Sequence, residues 1–130
     1  MSKIKALVAD DSKVMRLMVM KALRQSGLAS FSFDEAEDGV QALAKATEGD
    51  YEIVFLDWNM PNMSGIDVVR GIRSDGKDSE VPIVMITSET GSRRIQEAID
   101  DAGANAYIHK PFTPEQMEET LQPLIDAIRG

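Results

Sequence analysis

Five short apolar runs, separated by stretches of helical periodicity, constrain this chain more than any other feature. Residues 4–9 (IKALVA), 30–36 (SFSFDEA), 51–56 (YEIVFL), 81–86 (VPIVMI) and 106–109 (AYIH) are too short for helices, and their Val, Ile and aromatic content favours strands. Between the first two runs, Met15, Met18, Val19 and Ala22 recur at helical spacing opposite Arg16, Lys21 and Arg24, and Gly27 supplies a stop. A helix is therefore expected over 13–26. Similar stripes are Val40, Leu43 and Ala44; Ile66, Val69 and Ile72; Ile95, Ala98, Ile99 and Ala102 before Gly103; and Met117, Leu121, Leu124 and Ile128. The order is strand then helix, five times over. Connections long enough for crossover helices imply an α/β domain whose parallel sheet is covered on both faces, and right-handed crossovers leave few topologies.

The length of 130 residues predicts one domain, 1–130, with no second or output domain. The chain has no Cys and one His, which excludes disulfide and thiol chemistry and leaves zinc only carboxylates and that His. A reducing cytoplasm is the expected location. The first residues, MSKIKALVADDSK, are apolar for only about six positions before two acids, so neither a signal peptide nor a membrane span is expected. With 22 acidic against 14 basic residues the net charge is −8, which argues against nucleic acid and for a cation or a basic protein surface as partner.

In an open parallel sheet, chemistry gathers beyond the carboxyl ends of the strands. Strand one ends in Asp10 and Asp11, strand two in Glu37 and Asp38, and strand three in Asp57; strand four delivers Thr87 and Ser88, and strand five His109 and Lys110 before Pro111. Taken singly, each has a plain explanation. Asp10, Asp11 or Ser12 could cap the first helix, Asp57 could open a turn, Lys110 could be a solvated charge and Thr87 a β-branched strand residue. Taken together, three carboxylates, a hydroxyl and an ammonium converge from separate strand ends, which no packing rule requires.

Clustered carboxylates repel by roughly 4 kcal/mol per pair at about 4 Å and an effective dielectric of about 20, and a divalent cation relieves this. Oxygen ligands suit Mg²⁺, which commonly joins carboxylates to phosphate oxygens. A carboxylate in such a site can act as nucleophile and form an aspartyl phosphate if the phosphoryl oxygens are neutralised. Mg²⁺, the Lys110 ammonium, and the Thr87 hydroxyl with backbone N–H groups could each take one oxygen. Residues 53–65 read IVFLDWNMPNMSG, so four apolar residues would fix Asp57 at a rigid rim.

The acidic pair Asp10-Asp11, the segment EAEDG at 35–39, DWNMPNM at 57–63, Thr87 and Lys110-Pro111-Phe112 closely resemble the receiver domains of two-component response regulators. Within that family the chain is most similar to the receivers of chemotaxis. The resemblance covers nearly the whole chain and implies a flavodoxin-like (βα)5 fold with strand order 2-1-3-4-5. It implies that Asp57 accepts a phosphoryl group from a histidine kinase, and that Asp10, Asp11, Asp57 and the Asn59 carbonyl hold Mg²⁺. Thr87 and Lys110 would sense the phosphoryl group, and Tyr107 would turn inward with Thr87, reshaping the surface of helix four, strand five and helix five. Asn59 and Glu89 would border the path of the hydrolytic water, giving a short-lived phosphoryl state. The protein would then be a monomeric switch that catalyses its own phosphorylation and dephosphorylation rather than an enzyme. Its expected partners are the kinase, a phosphorylation-dependent target such as a flagellar-motor switch protein, and a phosphatase. A phosphate sink, a phosphorelay intermediate or a regulator of another enzyme are the alternative roles.

Other residues read as structural. Met15, Met18 and Met20 are expected to fill gaps between helix and sheet. Thr113 and Gln116 form a capping box with Pro114 at the first helical position. His109 departs from the small or apolar residue common before the family's Lys and reads as a rim residue or a pH-sensitive neighbour of Lys110. Pro123 removes a hydrogen bond within the last helix and is expected to kink it. An aspartate phosphatase of the haloacid dehalogenase class would need a second acid where Asn59 stands. A flavin mononucleotide carrier would need a phosphate loop where Asp10 and Asp11 would repel one.

Overall fold

The structure, a computed structural model, describes residues 3–76 and 80–130. Among these residues five strands alternate with helices: β1 (Ile4–Ala9), α1 (Lys13–Ser26), β2 (Phe31–Ala36), α2 (Gly39–Glu48), β3 (Ile53–Leu56), α3 (Gly65–Ser74), β4 (Ile83–Thr87), α4 (Ser92–Gln96), β5 (Ala106–His109) and α5 (Pro114–Arg129). A π-helical stretch, Glu97–Ala102, continues α4. Every strand pair is parallel and the order is β2-β1-β3-β4-β5. This is the flavodoxin-like α/β fold implied by the motifs.

The period-two alternation of the strands builds two cores. Val8, Phe55, Val84 and Ile108 face α1 and α5, where Val19, Leu23, Met117 and Leu121 cover them. Leu7, Val54, Leu56 and Met85 face the other side, against Ala42 and Ala46 of α2, Val68, Val69 and Ile72 of α3, and Ala98. The inner strands β1, β3 and β4 are near-continuous apolar runs because both faces are buried, whereas the edge strand β2 carries Ser32, Asp34 and Glu35 exposed.

Three strand boundaries differ from expectation. β2 starts at Phe31, since the Ser30 carbonyl accepts from the Ile4 N–H just before the ladder. β3 starts at Ile53, where pairing with Ala6 of β1 begins, and Tyr51 before it packs on the core edge with its hydroxyl donating to Asp34 Oδ2 at 2.7 Å. β4 runs Ile83–Thr87, beginning after Pro82 and extending to Thr87, which pairs with His109.

Helix faces differ more. α1 buries Arg16, Val19, Met20, Ala22 and Leu23, while Met18 is 50% exposed and Met15 half-buried. The expected stripe is thus rotated: residues 14–20 are apolar on nearly every side, and contact with both sheet and α5, not periodicity, selects the buried face. Of the three methionines only Met20 is fully in the core. On α2 Val40 is exposed and Ala44 likewise; small Ala42 and Ala46 let the helix approach the sheet, and Leu43 packs on Gly71 of α3. Ile95 of α4 is exposed while Ala98 and Ala102 are buried. On α5 Met117, Leu121 and Ile125 form the buried line, and Leu124 and Ile128 flank it. The helix is continuous through Pro123.

The starts of α1, α2, α3 and α5 are capped by side chains, whereas α4 begins after Gly91 without one. Ser12 accepts from Met15 N at 3.2 Å, Asp38 from Gln41 N at 2.8 Å and Ser64 from Asp67 N at 3.3 Å. The Thr113–Gln116 capping box is present, with bonds of 3.1 and 2.9 Å. Ser12, not Asp10 or Asp11, is therefore the cap of α1.

The corrected faces are testable by urea denaturation. Ile125→Ala should cost about 2–5 kcal/mol, as expected for a fully buried side chain, whereas Met18→Ala should change stability by no more than about 0.5 kcal/mol. Equal losses at both positions would show that α1 is seated differently.

Candidate functional site

Asp10 follows Val8 by two residues, Asp57 follows Phe55 and Lys110 follows Ile108, all on the α1–α5 side of the sheet. The alternation that buries the apolar residues thus hands three charges to one edge. There the Lys110 ammonium donates to Asp10 Oδ2 at 2.9 Å and to Asp57 Oδ2 at 3.1 Å. Asp10 and Asp57 are buried and Asp11 is exposed, yet one carboxylate oxygen from each lies within 4.8 Å of the others. At that separation, and with an effective dielectric of about 20, each like-charged pair repels by about 3 kcal/mol. Burial pulls the Lys110 pKa down, but the Asp10 hydrogen bond and the charges of Asp57 and Asp10 outweigh it and raise the pKa above the ordinary lysine value. The ammonium therefore stays charged at neutral pH.

The remaining carboxylate oxygens are held by main chain. Asp57 Oδ1 accepts from Trp58 N at 2.7 Å, and Asp10 Oδ1 from Ser12 N at 2.9 Å. The Asp57 main chain is fixed in turn by its N–H bond to the Ala9 carbonyl. Gly65 explains the Gly of the DWNMPNMSG segment, because a Cβ there would overlap the Asp57 carbonyl oxygen. Gly39 admits the Met63 carbonyl in the same way, and Asn62 Nδ2 donates to Asp38 Oδ2 at 2.9 Å, so the loop after β3 is strapped to the start of α2. Asp38 is thereby occupied as a cap and strap, and Glu37 is exposed.

On the opposite side of the sheet lies a set of hydroxyls. Thr87 is fully buried and follows Met85 by two residues, and Tyr107 packs against the same core. Both meet at Glu89. Its N–H donates to Thr87 Oγ1 at 3.2 Å, its carbonyl accepts from the Tyr107 hydroxyl at 2.7 Å, and its carboxylate accepts from Asn59 Nδ2 at 3.0 Å. Burial, and then the charge of Glu89, raise the Tyr107 pKa above the ordinary tyrosine value, which keeps the donor protonated. Arg94 completes the rim: its Nε lies 3.6 Å from Glu89 Oε1, and its guanidinium sits 5.1 Å from the Trp58 ring centroid.

Every site residue named from the sequence lies at this edge, in two linked groups: Asp10, Asp11, Asp57 and Lys110, and Thr87, Tyr107, Asn59 and Glu89. His109 is exposed on β5, and Ser88 is exposed beside Thr87. Sequence reasoning missed two arginines. Arg94 carries no signal beyond its charge. Arg16 falls opposite the expected apolar stripe of α1, yet it is 7% exposed and bonded to the Asp10 carbonyl. The donor set of three carboxylates without His or Cys fits a hard cation of the Mg²⁺ type.

Residues 6–122 match the response regulator receiver domain family. The chemotaxis protein CheY1 of Helicobacter pylori is 42% identical over 123 residues, covering 94% of this chain and 97% of that protein. The solved structure of the chemotaxis response regulator CheY4 of Vibrio cholerae is similar with a TM-score of 0.82 and 36% identity, over 95% of this chain and 99% of that one. The receiver domain of the sensor histidine kinase PA1611 from Pseudomonas aeruginosa, solved with a magnesium ion coordinated in its active site cleft, gives a TM-score of 0.83 at 26% identity, over 96% and 99% of the two chains. Family match, fold and acidic edge agree: the chain belongs to the CheY-like receiver domains of two-component signalling, which are regulatory proteins and not classical enzymes.

Proposed function

We propose that this chain is a phosphorylation-controlled switch that takes a phosphoryl group onto Asp57 from a histidine kinase and thereby changes its affinity for a target protein. The observation that carries this reading is the Asp57 carboxylate, fixed at the end of a buried strand with Oδ2 3.1 Å from the Lys110 ammonium. Its relatives are chemotaxis proteins, which favours control of a flagellar-motor switch protein as the output.

Asp10, Asp11 and Asp57, with the Asn59 carbonyl, would hold Mg²⁺. When bound, the cation supplies charge neutralisation for carboxylates and phosphoryl oxygens. The Asp57 carboxylate attacks phosphorus, a P–O bond to Asp57 forms, and the bond from phosphorus to the donor group breaks, its electron pair leaving with the donor. Lys110, already beside Asp57 Oδ2, is within reach of a phosphoryl oxygen by a small displacement, leaving Asp10 to other cations. Thr87 Oγ1 accepts from Glu89 N but keeps its own proton free to give to a phosphoryl oxygen. Drawing Thr87 toward Asp57 moves the Glu89 main chain, and the Tyr107 hydroxyl that donates to the Glu89 carbonyl must follow or seek another acceptor. Asn59 and Glu89, hydrogen-bonded across the site, border the approach of a hydrolytic water.

A small acyl phosphate with Mg²⁺ should label Asp57 and no other residue, as read by peptide mass mapping. Labelling of Asp57→Asn to the same extent as the parent would refute the nucleophile assignment. The labelled protein should lose its phosphoryl group within seconds to minutes at neutral pH without a phosphatase, measured by release of inorganic phosphate. Persistence for many hours would remove the role given to Asn59 and Glu89.

Asp11→Ala should weaken Mg²⁺ binding, read from the fluorescence of Trp58, the sole tryptophan of the chain. Because Ser12 is the cap of α1, the substitution removes a like charge and no cap, so the metal-free variant should melt at or above the parent temperature. Normal Mg²⁺ affinity with a lowered melting temperature would assign Asp11 a structural role only.

A further inference from the structure

A guanidinium in a core is costly unless its bonds are good, and Arg16 is 7% exposed on a helix face otherwise lined by Val19, Met20 and Leu23. Its Nη1 donates to the Asp10 main-chain carbonyl at 2.7 Å, a buried bond. Its Nε donates to Glu35 Oε1 at 2.8 Å, and the Glu35 carboxylate is half-exposed at the edge of the sheet. Glu35 is itself held, since its main-chain carbonyl accepts from Lys45 Nζ. Arg16 therefore ties α1 and β2 to one peptide group, and that group is the one joining Asp10 to Asp11.

Resting on the Mg²⁺ reading of the acidic edge, we infer that Arg16 is a positioning residue whose anchored guanidinium sets the direction of the Asp10 and Asp11 carboxylates and so the affinity for the cation. The peptide unit is planar, so clamping the Asp10 carbonyl fixes the plane from the Asp10 Cα to the Asp11 Cα. The directions in which both side chains leave the main chain are then restricted. The Asp10 carboxylate is held additionally by Ser12 N on Oδ1 and Lys110 on Oδ2, whereas Asp11 is exposed and relies on the main chain for its direction. Groups that orient metal ligands without touching the metal typically set affinity by about 10–100-fold.

Charge alone predicts the opposite sign. Arg16 is a cation beside an acidic cluster, and removing it would tighten binding of another cation; a positioning role predicts weaker binding. The experiment is a Mg²⁺ titration followed by Trp58 fluorescence, for the parent, Arg16→Met, Arg16→Lys and Glu35→Asp, with folding checked by circular dichroism at the same temperature. Arg16→Met should weaken Mg²⁺ about tenfold or more. Arg16→Lys keeps the charge but loses the fork and should recover only part of that affinity. Glu35→Asp, at a half-exposed position, preserves every charge while withdrawing the anchor from Nε, and keeps the inference testable should Arg16→Met fail to fold; it too should bind Mg²⁺ more weakly. Parent-like or tighter binding in the folded variants overturns the role of Arg16 alone. A parent protein with no saturable response to Mg²⁺ overturns the cation reading, and this inference with it.

Discussion

The Lys110 ammonium, bonded to Asp10 and Asp57 at once, is the interaction on which the rest of the edge depends. It closes a link between β1, β3 and β5, strands that are not all neighbours in the sheet. Without it two buried carboxylates would face each other with no cation between them, which is costly. With it, both carboxylates share one cation at a fixed separation and the lysine pKa rises. The same ammonium is the group that a phosphoryl oxygen on Asp57 would compete for, so the contact that organises the resting site is also the one that the proposed reaction must rearrange.

Much of this was legible because a parallel sheet converts one-dimensional order into a spatial edge. Five apolar runs separated by helical stripes are enough to say that residues 10, 57, 87 and 110 end up side by side, whatever their separation along the chain. The period of two went further than expected, since it also sorts them: Asp10, Asp57 and Lys110 to the α1–α5 side, Thr87 and Tyr107 to the other. What could not be read was the rotation of helices about their own axes. Residues 14–20 of α1 are apolar on nearly every side, so its buried face is chosen by the volume left between sheet and α5, and Arg16 enters the core because a carbonyl and a carboxylate await it there. Glu89 was placed at the site only by resemblance, for its three bonds depend on the path of a loop, two of them being made by its main chain.

The division into two sides has a consequence for how a change at Asp57 could travel. Charge sits on the face covered by α1 and α5, while Thr87 and Tyr107 belong to the face covered by α2, α3 and the π-helical stretch after α4, and the two groups meet only at the carboxyl edge of the sheet. The charge of Asp57 does bear on the Tyr107 hydroxyl, but it is the smallest of the causes that shift its pKa, behind burial and the charges of Glu89 and Arg94. Glu89 offers a bonded route instead, because its N–H, carbonyl and carboxylate each belong to a different neighbour, on β4, β5 and the loop after Asp57.

Such a hub transmits displacement, not charge. A shift of the Thr87 hydroxyl by a fraction of its hydrogen-bond length toward Asp57 alters the Glu89 peptide geometry, and each neighbouring bond must adjust because buried donors and acceptors cannot be left unpaired cheaply. Tyr107 is the neighbour with the most freedom, being on an edge strand with its ring half-buried. Arg94 is the other, tied to Glu89 by a longer ion pair and standing over the Trp58 ring. Both lie toward α4 and β5, and neither contact leads to α2. On the proposed function, therefore, the surface that changes on phosphorylation is confined to the α4–β5 side by the hydrogen-bond connectivity of a single loop residue, while the α1 side, braced by Arg16 and Glu35, keeps the metal ligands still.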